Sequence, residues 1–166
     1  MQGIPLNERK RLGALLDDRP QTEVMAMIPQ FSQAETDNFV APPAQIPEAL
    51  GVLMFNMERG VNLPEIQEFL RDCPDIQPFD VILANELDDG CARSGNKNTA
   101  RELAQAFGLN YAWGLEFIEL VNDENAKGFH GNAVFSRWPI RRAGVIRLPE
   151  QYNWYFDRQK RIGARV

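Results

Sequence analysis

The sequence predicts an α/β fold built around a mixed sheet, and three observations carry that prediction. An apolar run at Gly51–Asn56, a helix start at Asn62–Glu65 and a second apolar run at Val81–Glu86 follow in close succession. Strand, helix, strand over about 36 residues is a βαβ unit, whose two strands run parallel. Tyr111, Trp113, Leu115 and Phe117 alternate with Ala112, Gly114, Glu116 and Ile118, the period of a half-buried strand. Finally, the middle of Gly128–Ile140 reads as a strand that Pro139 breaks, with Ala143–Leu148 and Arg161–Val166 as further strands.

At 166 residues the chain is long enough for one core, and two full domains are not the expectation. Apolar runs such as Val81–Ala84 fall far short of the ~20 residues of a membrane span, so no span is expected. The amino terminus carries no apolar stretch of the secretory type. Two cysteines, Cys73 and Cys91, are too few for a disulfide framework, which fits a cytoplasmic protein. The net charge of −5 is unevenly spread. Ten basic and 21 acidic side chains up to residue 136 give −11, while eight basic against two acidic from Arg137 onward give +6. That basic tail faces either phosphates or solvent from two strands, and the solvated face is favoured.

Residues 1–47 read as a lead-in that packs over the domain edge or stays mobile, and residues 48–166 as the domain proper. Leu6–Asp17 forms a short helix, and Pro20 starts another with Val24, Met25 and Ile28 on one face. Phe39–Pro47, with three prolines, is a linker. In the domain, Asn62 caps a helix with Pro64 in its first turn, and Ile66, Phe69, Leu70 and Cys73 share its apolar face until Pro74 and Pro78 end it. Thr99 and Glu102 have capping-box spacing for a second helix, with Leu103, Ala106 and Phe107 inward and Gly108 as its stop. Both helices are expected on one outer face of the sheet. Gln151–Asp157 reads as an aromatic loop.

Function concentrates in Asn85-Glu86-Leu87-Asp88-Asp89-Gly90. Parallel strands bring Asn56 and Glu86 to one sheet edge, where open α/β sheets place their ligands. A carboxylate there must be paired, protonated or bound to a cation. Glu86 therefore either caps a loop amide, pairs with an arginine, or ligates a metal. Arg93 lies in the polar loop beside that edge. His130, the sole histidine, is either a structural or rim residue or a substrate-side group in a glycine-flanked loop. Ser136 and Arg137 are expected to fasten the strand end.

Five segments in order carry a resemblance: Phe55-Asn56-x-Glu58-Arg59-Gly60, Asn85-Glu86-Leu87-Asp88, Arg93-Ser94-Gly95-Asn96, Gly131-Asn132-Ala133-Val134-Phe135-Ser136-Arg137-Trp138-Pro139-Ile140, and Arg161-Ile162-Gly163-Ala164-Arg165-Val166. Together they resemble the amino-terminal portion of the endonuclease/exonuclease/phosphatase superfamily, the DNase I-like fold, over roughly residues 50–166. The resemblance implies part of a four-layered α/β/β/α sandwich with mixed sheets, truncated here. It implies a metal-dependent phosphoesterase in which Asn56 belongs to the phosphate-binding catalytic cluster. Glu86 would ligate magnesium, with manganese as a substitute, and Arg93 and His130 would lie on the substrate side. The substrate is then a phosphate ester: a nucleic acid, a nucleotide, or a phospholipid or inositol phosphate. Asn85 departs mildly from the family's usual Gln. The family's Asp-x-Asn on a central strand and its Ser-Asp-His near the carboxyl terminus do not occur here, so the fragment alone is expected to be inactive. The alternative is a catalytically incomplete domain that serves as a binding or interaction module. The sequence sets no oligomeric state.

Overall fold

The computed structural model describes residues 1–149 and 160–166, so the predicted aromatic loop Gln151–Asp157 lies outside the described residues. Among the described residues the chain forms four α-helices and one six-stranded mixed sheet. The helices are α1 (Leu6–Leu15), α2 (Gln21–Ala26), α3 (Leu63–Asp72) and α4 (Thr99–Phe107). The strands are β1 (Ala34–Asp37), β2 (Val52–Arg59), β3 (Val81–Asp89), β4 (Asn110–Glu119), β5 (Phe129–Ser136) and β6 (Arg161–Gly163).

The expected βαβ unit is present: β2 and β3 pair in parallel across the α3 connection, with Asn56 opposite Asn85. Antiparallel pairing then gives the order β1-β4-β5-β3-β2, with β6 also on β4. One face of the sheet is packed. Phe55 stacks on Phe69 of α3 at 5.8 Å, α3 packs on α4, and α4 lies on β3 and β4. The residues turned to this side, among them Met57, Ile82, Leu87, Trp113 and Leu115, are sealed in one continuous core. The opposite face is apolar, and among the described residues its β2 and β5 positions stand exposed. Met54 is 73% exposed, Val52 57% and Val134 42%, although all three alternate with buried or half-buried neighbours on regular strands.

Several expectations change on contact with the structure. Ala143–Leu148 is not a strand. The outer edge of β4 is already taken, by β1 along residues 111–114 and by β6 along 117–119, so this segment finds no ladder. It is held instead by Arg147, whose guanidinium donates to the carbonyls of Phe31, Leu115 and Ala164 and sits 4.6 Å from the Phe31 ring. The lead-in also does more than cover an edge. It supplies β1, and Ile4, Leu12, Val24, Met25, Ile28 and Phe31 belong to the main core. Asn62 precedes α3 without a side-chain cap bond. On α4 the cap is Asn98, which accepts from Arg101 N–H at 2.8 Å, while the Thr99 hydroxyl donates to the Asp88 carbonyl. Ala104, rather than Ala106, takes the buried place on α4.

As expected, the end of β5 is fastened. Arg137 donates to Asp80 through both its backbone and its side chain, and the Ser136 hydroxyl accepts from Trp138 N–H. The basic tail is spent internally at three described positions, since Arg165 joins Arg137 and Arg147 by pairing with buried Glu116 at 2.8 Å.

Candidate functional site

Three register shifts line up across the sheet at one level. One lies between Asn56 and Arg59 of β2, one between Ala84 and Leu87 of β3, and one between Leu115 and Phe117 of β4. Each inserts an extra residue on one strand, which bends the strand and re-aims side chains. Glu86 occupies the β3 bulge with φ 59°, and Glu58 and Arg59 stand at φ 46° and 67° in the β2 irregularity. Left-handed backbone at non-glycine residues costs about 1–3 kcal/mol each and clusters at functional sites.

The β3 bulge is held by Asn132, whose Oδ1 accepts the Glu86 N–H at 3.1 Å. The Glu86 carboxylate, half-buried, makes neither a hydrogen bond nor an ion pair with any described residue. Among the described residues it has neither the arginine partner nor the loop amide that the sequence reading allowed. Asn56 shares this end of the sheet. Its Oδ1 accepts from Glu58 N–H at 2.8 Å, which holds the left-handed turn and leaves the amide nitrogen free to donate. Arg59, opposite Leu87, is half-buried and has no partner among the described residues. Neither Arg59 nor Asn132 stood out in the sequence as a site residue. The signal for both was their place in the resembling segments.

Arg93 and His130 come together two residues further along β3, around Asp88. Arg93 grips Asp88 with two parallel hydrogen bonds, Nε to Oδ2 at 2.7 Å and Nη2 to Oδ1 at 2.9 Å, and its Nη1 reaches Glu119. His130 Nδ1 lies 2.8 Å from Asp88 Oδ1, and the Ser94 hydroxyl donates to Oδ2. Asp88 has no solvent exposure. Burial works against its charge, but the hydrogen bonds from His130 and Arg93 outweigh it and hold its pKa below the ordinary value. Burial likewise opposes the Arg93 charge, and its two carboxylate partners overcome that and raise its pKa. The neighbouring Cys91 thiol is pushed up by burial and by Asp88.

This network extends to the lead-in. Asn125 donates to Glu119 and accepts from Ala92 N–H, while buried Arg9 of α1 donates to the carbonyls of Glu119, Asn122 and Asn125. Asp123-Glu124-Asn125 has Asp-x-Asn spacing, but it sits in the loop between β4 and β5, where Asn125 is committed to this packing.

The arrangement has two parts: Glu86, without a partner among the described residues, at the level of the sheet where Asn56, Asn85, Arg59 and Asn132 also stand, and a buried Asp–Arg–His cluster two residues further along β3. A groove of about 590 Å³ runs over the open face to Asn85 and Asn132, roofed by residues 140–146. No three His, Cys, Asp or Glu side chains converge as a metal cage among the described residues. A hydrated magnesium ion needs no such cage, since it takes one or two carboxylates and keeps several waters. The single carboxylate of Glu86, unpaired among the described residues, fits that chemistry.

Fold and site together define a mixed α/β protein whose sheet is open on one face and carries a polar site at the line of bulges. Comparison with protein-family models, with curated proteins and with solved structures returned no match to this chain.

Proposed function

We propose that this chain carries the metal-and-phosphate site of a magnesium-dependent phosphoesterase of the endonuclease/exonuclease/phosphatase type. The observation that carries the reading is Glu86: a carboxylate without a partner among the described residues, on a left-handed backbone, at the level where three strands are bulged. Left-handed backbone of this cost at non-glycine residues clusters at ligand sites. Bound there, magnesium would neutralise charge on the phosphoryl oxygens, with manganese as a substitute. Asn56 would donate its amide to a phosphoryl oxygen, and Arg59 would supply a positive charge beside it. Arg93 is engaged by Asp88 and Glu119, so its part is to fix that cluster. The open apolar face is the kind of surface on which a second sheet packs, which supports the four-layered sandwich. The ester is a nucleic acid, a nucleotide or a phosphorylated lipid or inositol head group. The free thiols Cys73 and Cys91 suit a cytoplasmic setting.

The Ser-Asp-His segment of the resembling family is not in these residues, so the first test reads binding before turnover. Manganese or magnesium titrated with inorganic phosphate is expected to saturate the wild-type chain. Glu86→Gln is expected to weaken that binding more than tenfold and to change stability by less than about 0.5 kcal/mol. If Glu86→Gln unfolds readily and binds the metal as well as wild type, Glu86 is a structural carboxylate and the reading fails. A second reading, an interaction module without catalysis, is favoured by the exposed Val52, Met54 and Val134. Metal-independent partner binding with no phosphate affinity would select it.

A further inference from the structure

We infer that His130 is the proton acceptor of this site, positioned by Asp88; the inference rests on the phosphoesterase reading above. An ionised carboxylate can only accept, so the 2.8 Å contact to Asp88 Oδ1 places the ring proton on Nδ1. In the neutral ring Nε2 is then left with its lone pair. No described residue donates to it, although His130 is only 8% exposed and the Asp88 that holds it is fully buried. Phe117 stacks on one face of the ring at 6.2 Å and 23°.

Placement supports the role. His130, Asn132 and Val134 alternate along an unbulged stretch of β5 and so share the open face. Asn132 binds the Glu86 backbone at the β3 bulge, and Asp88, which holds His130, follows Glu86 by two residues. A phosphate ester beside Glu86 would have Nε2 within reach of its attacking water. The charged groups around the ring are Asp88 from β3, Arg93 and Glu119 through Asp88, and the Arg165–Glu116 pair, whose Arg165 lies over Phe117.

In the step, a water oxygen forms a bond to phosphorus while one water proton passes to Nε2. The ester P–O bond breaks with its electron pair on the leaving oxygen. That oxygen takes a proton from solvent water on the opposite side of phosphorus, and Nε2 returns its own proton to solvent, leaving an alcohol, a phosphate product and a neutral imidazole.

The chain has a single histidine, so the isotope-labelled ring nitrogens report on this residue alone. Nuclear magnetic resonance of the full chain is expected to show the Nδ1–H tautomer, the one less favoured by the free histidine side chain. Inorganic phosphate with magnesium is expected to shift Nε2 with the same saturation as the Glu86 backbone amide. His130→Asn keeps an amide where Nδ1 stood and removes Nε2, and it is expected to lose roughly tenfold in phosphate affinity. An Nε2–H tautomer, saturation at Glu86 with Nε2 unmoved, or undiminished affinity in folded His130→Asn would each overturn the inference and leave the phosphoesterase reading standing. If phosphate and magnesium fail to move the Glu86 amide at all, that reading fails and the inference falls with it.

Discussion

Asp88 shows how a single buried carboxylate sets the acid stability of this fold. Its pKa is held down in the folded state and lies near the ordinary ~3.9 when unfolded. The unfolded chain therefore binds the proton first as pH falls. The stability from this group is fully present above the unfolded value and is lost as pH drops through the folded value. Asp80, whose pKa is lowered by the Gly51 N–H and by Arg137, adds to the same slope. Urea melts of wild type are expected to show stability level near neutrality and falling steeply toward about pH 3. Asp88→Asn should flatten part of that slope and cost about 1–3 kcal/mol at neutral pH, because charge-assisted bonds from Arg93 and His130 are lost while Arg93 keeps Glu119. A melt at neutral pH indistinguishable from wild type would show that the cluster contributes little.

At the scale of elements, helix caps and strand crossings give two tests. Asn98→Ala should cost about 1 kcal/mol, whereas Asn62→Ala, which removes no cap bond, should cost far less. Equal losses in thermal or denaturant unfolding would contradict the cap assignment. Gly131 sits where β4 and β5 cross most tightly: an added Cβ would meet the Gly114 carbonyl at 2.0 Å and the Trp113 ring at 2.8 Å. Neither backbone nor a sealed indole can yield cheaply, so Gly131→Ala is expected to destabilise by about 1–3 kcal/mol or more. Because Gly131 lies between His130 and Asn132, the same change should also weaken phosphate binding. Unaltered stability with full binding would mean that the two strands separate more readily than their packing suggests.

For the molecule as a whole, the unequal treatment of the two sheet faces dominates. One face is closed by α3 and α4, while Val52, Met54 and Val134 stand exposed on the other. A purified chain is expected to bind hydrophobic dyes and to associate as its concentration rises. Met54→Lys with Val134→Lys should reduce both effects while leaving the unfolding midpoint nearly unchanged, since neither side chain is in the core. A monomer silent to such dyes would show that the face is covered by the chain itself.

The sequence by itself determined the βαβ unit, α4 with its Gly108 stop, the strands β4 and β5, and the parallel register that sets Asn56 level with Asn85, next to Glu86. Each follows from local periodicity, caps and the geometry of a parallel crossover, which neighbouring residues encode. Tertiary structure alone decided the rest. Ala34–Asp37 has no apolar alternation and becomes a strand because β4 offers it an edge, while Ala143–Leu148 has strand composition and finds none. The bulges escaped the period-two reading of Tyr111–Phe117, since an inserted residue is defined by its partner strand: after Glu116 the stripe changes face, and Phe117 stacks on His130. The same holds for the site. Which acid stays free and which is gripped by arginine depends on contacts such as Arg93 to Asp88 and Arg9 to the β4–β5 loop. Those contacts join residues far apart in the chain or turned by a bulge, and sequence spacing carries no record of them.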